Sequence, residues 1–303
     1  MAKYHVLYNP KSGNGRGTQK AKKLDEILRG EELEYRDVTK LECCDDYKEF
    51  FSSISPEDKV ILAGGDGTVC HFVNESLGVE YPNDIYYFAC GSGNDFMNDI
   101  GADPEKPVLV NEYIKDLPII EVKGKEYKFI NGIGFGIDGY CCEEGDKKRA
   151  AGSQKINYTT IVLKGFIYGF KRTKAKVTVD GETYTYDNVW LCPTMNGRYI
   201  GGGMMVTPNQ MRLNKEKTVT VSNMHCSSKL KTLTVFPKVF SGKHADHKDL
   251  VDSHTGHEIK VEFDRPTALQ IDGETITDVM EYKVHASAEA RSRTDLNKEK
   301  ASV

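Results

Sequence analysis

Three stretches of this chain combine glycines with residues able to bind phosphate or metal. Gly64-Gly65-Asp66-Gly67-Thr68 follows an apolar run from Val60 to Ala63 and precedes Val69, Phe72, Val73 and Leu77 at helical spacing. Gly91-Ser92-Gly93-Asn94-Asp95-Phe96 follows Ile85 to Ala89, and the polar run Asn9 to Gly17 follows Tyr4 to Tyr8. A strand that breaks into glycines and re-enters a helix presents backbone N–H groups to a phosphate. An acid between glycines can face a metal or the phosphates with no neighbouring side chain in the way, and Mg²⁺ takes oxygen ligands while keeping several waters. Asp66 is therefore a candidate metal ligand. The plainer reading of Asp66, and of Asp95, is an acid that caps a helix. Gly-x-x-x-x-Gly-Lys-Ser/Thr is absent, which excludes a P-loop. The glycines from Gly13 to Gly17 lack Gly-x-Gly-x-x-Gly spacing, which disfavours a Rossmann dehydrogenase.

The elements that must position these turns read as strands alternating with helices. Expected strands are Tyr4 to Tyr8, Leu33 to Val38, Lys59 to Ala63 and Ile85 to Ala89. Helices are expected from Thr18 to Arg29, after Asp45 or Asp46, from the glycine turn to Gly78, and in a short piece to Ile100. This alternation argues for a parallel sheet, whose ligands bind at the carboxyl ends of its strands. Beyond Asp116 the period changes. Asp180-Gly181 between two alternating runs is a hairpin signal, and further short strands are expected at Val189 to Cys192, Thr218 to Ser222, Glu258 to Phe263 and Ala268 to Ile271. The pattern suggests a β-sandwich. Between them, Tyr140 to Phe170 reads as helical in two pieces, the second unusually apolar from Ile156.

Composition narrows the class. The chain has 303 residues, 39% hydrophobic and 28% charged, with a formal net charge of −4, which disfavours nucleic acid as a partner. No apolar run approaches a membrane span, and Met1-Ala2-Lys3-Tyr4 leads straight into a strand, so neither a transmembrane segment nor a signal peptide is expected. The eight cysteines show no Cys-x-x-Cys and are expected as free thiols in a reducing cytoplasm. His244, His247, His254 and His257 have spacing that raises zinc, but that reading is the weaker one.

Taken together, Asn9-Pro10-Lys11-Ser12-Gly13, Gly64 to Thr68 with Asn74-Glu75, and Gly91 to Phe96 resemble the diacylglycerol kinase catalytic-domain superfamily, which includes bacterial lipid kinases, sphingosine kinases and ceramide kinases. NAD kinases share the Gly-Gly-Asp-Gly-Thr loop, whereas the Gly-x-x-Asn-Asp-Phe turn resembles the lipid-kinase branch. Gly201-Gly202-Gly203-Met204 with Pro208, Gly242-Lys243-His244 with His247, and Gln270-Ile271-Asp272-Gly273-Glu274 extend the resemblance over most of residues 4 to 286.

The resemblance implies an NAD-kinase/diacylglycerol-kinase-like α/β fold: an N-terminal parallel α/β nucleotide domain over 1–116 and a C-terminal β-sandwich lipid-acceptor domain over 117–276. Residues 277–303 are a candidate return to the first domain, and the polar end from Ser287 is expected to fray. It further implies an ATP- and Mg²⁺-dependent lipid kinase acting on diacylglycerol or a related lipid. The enzyme would be cytoplasmic and peripheral to the inner membrane face, with a homodimer left open. Glu274 would be the base that takes the acceptor's proton, and Asp66 would act with it through the metal. Nucleotide contacts would come from Asn9, Ser12, Thr39, Gly65, Gly67, Thr68, Asn74, Glu75, Gly91 and Ser92, and metal contacts from Asp66, Asp95 and Asp138. An NAD-kinase-like phosphotransferase and a non-catalytic nucleotide-binding regulator are the alternatives. The sequence departs from the family where some members carry an acid-rich Asp-Asp-Gly stretch for a structural Mg²⁺. It reads Met211-Arg212-Leu213-Asn214-Lys215-Glu216-Lys217 there, which puts that ion in question.

Overall fold

A computed structural model describes residues 3–91, 93–153 and 156–288. The chain forms two compact units that divide between Asp116 and Leu117.

The first unit is built on five strands: β1 (Tyr4–Tyr8), β2 (Leu33–Asp37), β3 (Lys59–Gly64), β4 (Asp84–Ala89) and β5 (Val108–Leu109). Their order is β2-β1-β3-β4-β5. The first four are parallel, and β5 pairs antiparallel with β4. The core of β3, Val60 to Ala63, is fully buried, as a strand covered on both faces requires. The register aligns Tyr8 with both Asp37 and Ala63, and Gly64 with Ala89. The turns after β1, β2, β3 and β4 therefore all leave from one sheet edge. A continuous helix from Thr18 to Arg29 does not form. The segment is split into Gly17–Ala21 and Leu24–Ile27. Lys22 and Lys23 between them stay right-handed, but the amides of Lys23 and Asp25 bond only three residues back, to Lys20 and Lys22, a tightening of the 3-10 kind that interrupts the α-helical ladder. Ahead of it, Gly13, Asn14 and Gly15 are left-handed, with φ of 58°, 60° and 81°.

The second unit carries β6 (Ile119–Val122), β7 (Lys125–Lys128), β8 (Gly132–Phe135), β9 (Thr173–Val179), β10 (Glu182–Leu191), β11 (Thr194–Met195), β12 (Tyr199–Ile200), β13 (Met204–Met205), β14 (Val219–His225), β15 (Val251–Gly256), β16 (Glu258–Ile271) and β17 (Glu274–His285). β12 and β13 form a small separate hairpin, and the other ten strands form one sheet. The sheet folds back on itself through β16, which pairs with β9 over Ile259 to Phe263 and with β8 over Leu269 to Ile271. The two halves enclose a core in which Phe135 stacks on Phe263 with centroids 3.8 Å apart. Two strands expected on either side of Pro266 are one, because the proline falls in an irregularity between Glu262 and Thr267, where no ladder donor is needed. Residues 277–285, read as a candidate return to the first domain, lie in β17, which pairs with β16 and β6. Residues 289–303 of the tail lie outside the described residues.

Candidate functional site

The turn after β3 begins with a close approach that only glycine permits. A Cβ on Gly64 would sit 2.1 Å from Thr68 Oγ1, and one on Gly91 would sit 2.7 Å from the Cα of Gly65. The turns after β3 and β4 thus touch backbone to backbone, tied by the amides of Cys90 and Gly91 on the carbonyl of Gly64 at 2.6 and 3.1 Å. The turn after β1 joins them. Asn9 Nδ2 donates to Thr68 Oγ1 at 3.1 Å, and Ser12 Oγ accepts from the amide of Gly65 at 3.2 Å. The chain then passes so near Asn9 that a Cβ on Gly17 would lie 1.9 Å from its carbonyl oxygen.

Asp66 opens the helix Asp66–Glu75, but it serves a different one. Its carboxylate accepts from the amides of Asp95 at 2.8 Å and Phe96 at 3.4 Å, at the start of the helix Asp95–Ile100. It caps the neighbouring helix across the touching turns, a variant of the capping role that sequence alone attached to its own helix. Asp95 is buried beside it, 4% exposed. Asn94, left-handed at φ 49°, has a buried Oδ1 with no partner among the described residues, an acceptor open to a ligand group. Lys20 was not singled out by sequence, yet its Nζ donates to the carbonyl of Gly91 at 3.2 Å and brings positive charge to the same turns. Its only signal is its place one turn after the glycine run.

The structure therefore gathers Asn9, Ser12, Gly65, Asp66, Thr68, Gly91 and Asp95, with Gly67 exposed at the first turn of its helix. Thr39 lies after β2 at the same edge, its hydroxyl and amide both donating to Asp37 Oδ1. Asn74 and Glu75 are not part of this group. They end the helix that Asp66 begins, on the order of 12 Å away at 1.5 Å rise per residue, and Asn74 Nδ2 donates back to the carbonyl of Cys70. Ser92 lies outside the described residues. A methyl at Gly67 meets nothing within 4 Å. Gly67→Ala should thus keep or raise thermal stability, by up to about 1 kcal/mol as Gly→Ala in a helix does. It should weaken ATP binding roughly tenfold if the turn faces phosphate. Calorimetric titration beside thermal unfolding checks this, and unchanged affinity would remove Gly67 from the phosphate turn.

Asp138 and Glu274 belong to the second unit. Asp138 lies in the first turn of the helix Ile137–Ala150, buried, and accepts from Gln270 Nε2 at 2.8 Å. Burial pushes its carboxyl up from the usual range, while the Gln270 amide acts in the opposite direction. The other end of Gln270 accepts from the amide of Gly273 at 2.6 Å. Asp272 and Gly273, with φ of 47° and 99°, are the two central residues of the hairpin that joins Ile271 to Glu274. Positive φ at both is the geometry for which Asp-Gly is selected. Glu274, exposed, is the first residue beyond the turn. Asp138 is thus linked through Gln270 to the turn that carries Glu274.

Asp272, half-buried, makes more contacts than the turn needs. Its carboxylate accepts from the amides of Ile130, Asn131 and Gly132 at 2.5, 2.8 and 3.1 Å. Burial pushes its carboxyl up, opposed by those amides and by the charge of Arg212. The Arg212 guanidinium donates to the carbonyl of Ile130 and, at 2.9 Å, to Asn131 Oδ1.

These contacts decide which metals fit. Asp66 and Asp95 are hard oxygen donors in one cluster beside an open acceptor, which suits an Mg²⁺ that takes its remaining ligands from phosphate and water. The structural Mg²⁺ of some family members does not fit here, because a guanidinium stands at the stretch that supplies its acids. Like unit charges 4 Å apart repel by about 4 kcal/mol at an effective dielectric of 20, and a divalent ion would double that. Among the described residues no group of three or more His, Cys, Asp or Glu side chains could hold a metal. The four histidines are separate: His244 meets the carbonyl of Val206, His247 meets Lys238, His254 meets Tyr186 and Asp252, and His257 meets the carbonyl of Glu216.

Comparison with known proteins agrees in both units. Residues 3–120 match the family model described as diacylglycerol kinase catalytic domain, and residues 131–287 match the YegS C-terminal NAD kinase beta sandwich-like domain. A candidate lipid kinase of Staphylococcus carnosus (strain TM300) is 25% identical over 239 residues, covering 78% of this chain and 76% of that one. A diacylglycerol kinase of Mycobacterium tuberculosis is 21% identical over 255 residues, 81% of each. The crystal structure of a candidate diacylglycerol kinase from Bacillus anthracis str. Sterne superposes with a TM-score of 0.65 at 20% identity, covering 93% of this chain and 91% of that one. The chain belongs to the diacylglycerol kinase catalytic-domain superfamily.

Proposed function

We propose that the protein is an ATP- and Mg²⁺-dependent lipid kinase that phosphorylates the hydroxyl of diacylglycerol or a related lipid. The observation that carries this reading is the meeting of three glycine turns at one sheet edge, with Asp66 held by the amides of Asp95 and Phe96. In it, Gly65, Gly67, Thr68, Asn9 and Ser12 hold the phosphates of ATP, with Lys20 adding positive charge. Thr39 lies toward the base of the nucleotide, and Asp66 and Asp95 hold the metal. A bound Mg²⁺ would supply charge neutralisation on the transferring phosphoryl group. Glu274 takes the proton of the lipid hydroxyl as its oxygen bonds to the γ-phosphorus, and ADP departs with the electrons of the broken P–O bond. Asp138 acts through Gln270 to steady the Glu274 turn.

An exposed apolar surface supports the lipid reading. Leu163, Ile167, Tyr168 and Leu230 are 50%, 57%, 70% and 77% exposed. Lys164, Lys171 and Lys229 are exposed around them, and Lys229 Nζ donates to the carbonyl of Ile167 at 2.7 Å. Apolar side chains rimmed by lysines suit the cytoplasmic face of an anionic bilayer, and no helix among the described residues is long and apolar enough to cross one.

The test is labelled ATP with purified protein and vesicles containing diacylglycerol, sphingosine or ceramide in turn, beside NAD as a soluble acceptor. A phosphorylated lipid is expected, and Ile167→Glu should lower the rate on vesicles several-fold without changing ATP affinity. Phosphorylated NAD, or intact ATP binding with no acceptor phosphorylated, would overturn the lipid-kinase reading.

A further inference from the structure

The second unit contains a group of oxygens that would ordinarily call for a cation. Ile130 O and Asn131 Oδ1 both accept from the Arg212 guanidinium, on a loop whose amides donate to the carboxylate of Asp272. Ile130 and Asn131 are 0% and 2% exposed. We propose that Arg212 is the built-in cation of this group: its guanidinium binds these oxygens, holds the turn that carries Glu274, and makes the second unit independent of a divalent metal.

The loop Ile130-Asn131-Gly132 is gripped from two sides. Asp272 takes its three consecutive amides and returns its own amide to the carbonyl of Gly132 at 3.1 Å. Arg212 takes the carbonyl of Ile130 and the side-chain oxygen of Asn131. Asn196 completes the set, its Nδ2 donating to the carbonyl of Ile130 at 2.9 Å. The loop that carries Arg212 is itself pinned by buried Gln210, whose Nε2 donates to the carbonyls of Asn196 at 3.2 Å and Thr218 at 2.8 Å. A guanidinium suits this task because its planar fork reaches two oxygens at once and its charge is permanent. Unlike a bound ion, it cannot be removed by a chelator. Without it the half-buried Asp272 carboxylate loses the positive charge of Arg212, and the loop against which the Asp272-Gly273 turn is built loses two of its ties. Glu274 follows directly, so Arg212 is a positioning residue for the base.

The stability arm stands alone, whereas the turnover arm rests on the kinase reading of Glu274. In the absence of nucleotide, the unfolding midpoint of the wild-type protein should agree within about 1 °C in EDTA, MgCl₂ and CaCl₂. A clear fall in EDTA would mean that a divalent ion holds the site, and would overturn the proposal. Arg212→Gln should lower the midpoint by about 5 °C or more in all three buffers. It should also lower kcat on lipid vesicles by roughly 10- to 100-fold, with KM for ATP within twofold. Arg212→Gly should regain midpoint and kcat in millimolar methylguanidinium but not in equal methylammonium, a chemical rescue that general loss of packing would not show. A wild-type midpoint in Arg212→Gln, or no selectivity between the two cations, sinks the idea. If the wild-type protein phosphorylates no lipid, the kinase reading fails while the midpoint and rescue measurements still decide the role of Arg212.

Discussion

Glu274→Gln is expected to lower kcat on the lipid acceptor by about 10²- to 10⁴-fold, the range that a positioned general base supplies, while ATP affinity stays within twofold. The two halves of this prediction have separate grounds. The nucleotide contacts assigned here all lie in the first unit, so the substitution leaves them untouched. Glu274 is exposed and is the first residue after the hairpin turn, so an isosteric amide should not disturb the fold. The melting temperature should accordingly stay within about 1 °C. The change removes only the capacity to accept a proton, and the remaining rate should become steeper with pH as hydroxide replaces the base. Single-turnover measurements with pre-bound ATP separate the chemical step from binding. An active Glu274→Gln with unaltered pH dependence would remove Glu274 from the mechanism.

Asp66→Asn has the second largest expected effect, and it should be mixed in kind. Loss of the charge should raise the Mg²⁺ concentration needed for half-maximal rate and lower kcat by about 10²- to 10³-fold, the magnitude seen when one preorganised electrostatic group is deleted. The substitution also touches the fold. The carboxylate holds the amides of both Asp95 and Phe96, and an asparagine can accept from only one of them while turning its own NH₂ toward the other. A loss of about 1–2 kcal/mol follows from the broken cap. Chemical denaturation, with the Mg²⁺ dependence of the rate measured on the folded fraction, separates the two effects. A wild-type Mg²⁺ dependence at full stability would show that Asp66 is a cap and no more.

The contrast between Asp66 and Arg212 shows where a sequence becomes legible and where it stops. Asp66 is conspicuous because its flanking glycines fix a local geometry, but its hydrogen-bond partners lie 29 and 30 residues further on. Nothing around Asp66 reveals that it caps the helix beginning at Asp95. Arg212 carries no local signal at all. It is visible in the sequence only as a lysine- and arginine-rich replacement for expected acids, and its role depends on oxygens 81 and 82 residues away. Lys20 was missed for the same reason, since its partner Gly91 is 71 residues off. Asn74 and Glu75 show the reverse error. Near Asp66 in the chain, they are set apart in space by two and a half turns of helix.

What the sequence determined by itself is local: the parallel strands with their glycine turns, the Asp-Gly hairpins at Asp180 and Asp272, and the family to which their spacing belongs. These follow from backbone conformations that glycine and Asp-Gly select within a few residues, and from periodicities that a strand or helix imposes on its own side chains. The tertiary structure alone decided that three glycine turns share one edge, that the Asp66 carboxylate holds the amide of Asp95, and that a guanidinium stands against the loop that Asp272 grips. Each of these depends on sheet register and on loops closing over long stretches of chain. One residue of register reverses every side chain along a strand, and no local propensity encodes that choice.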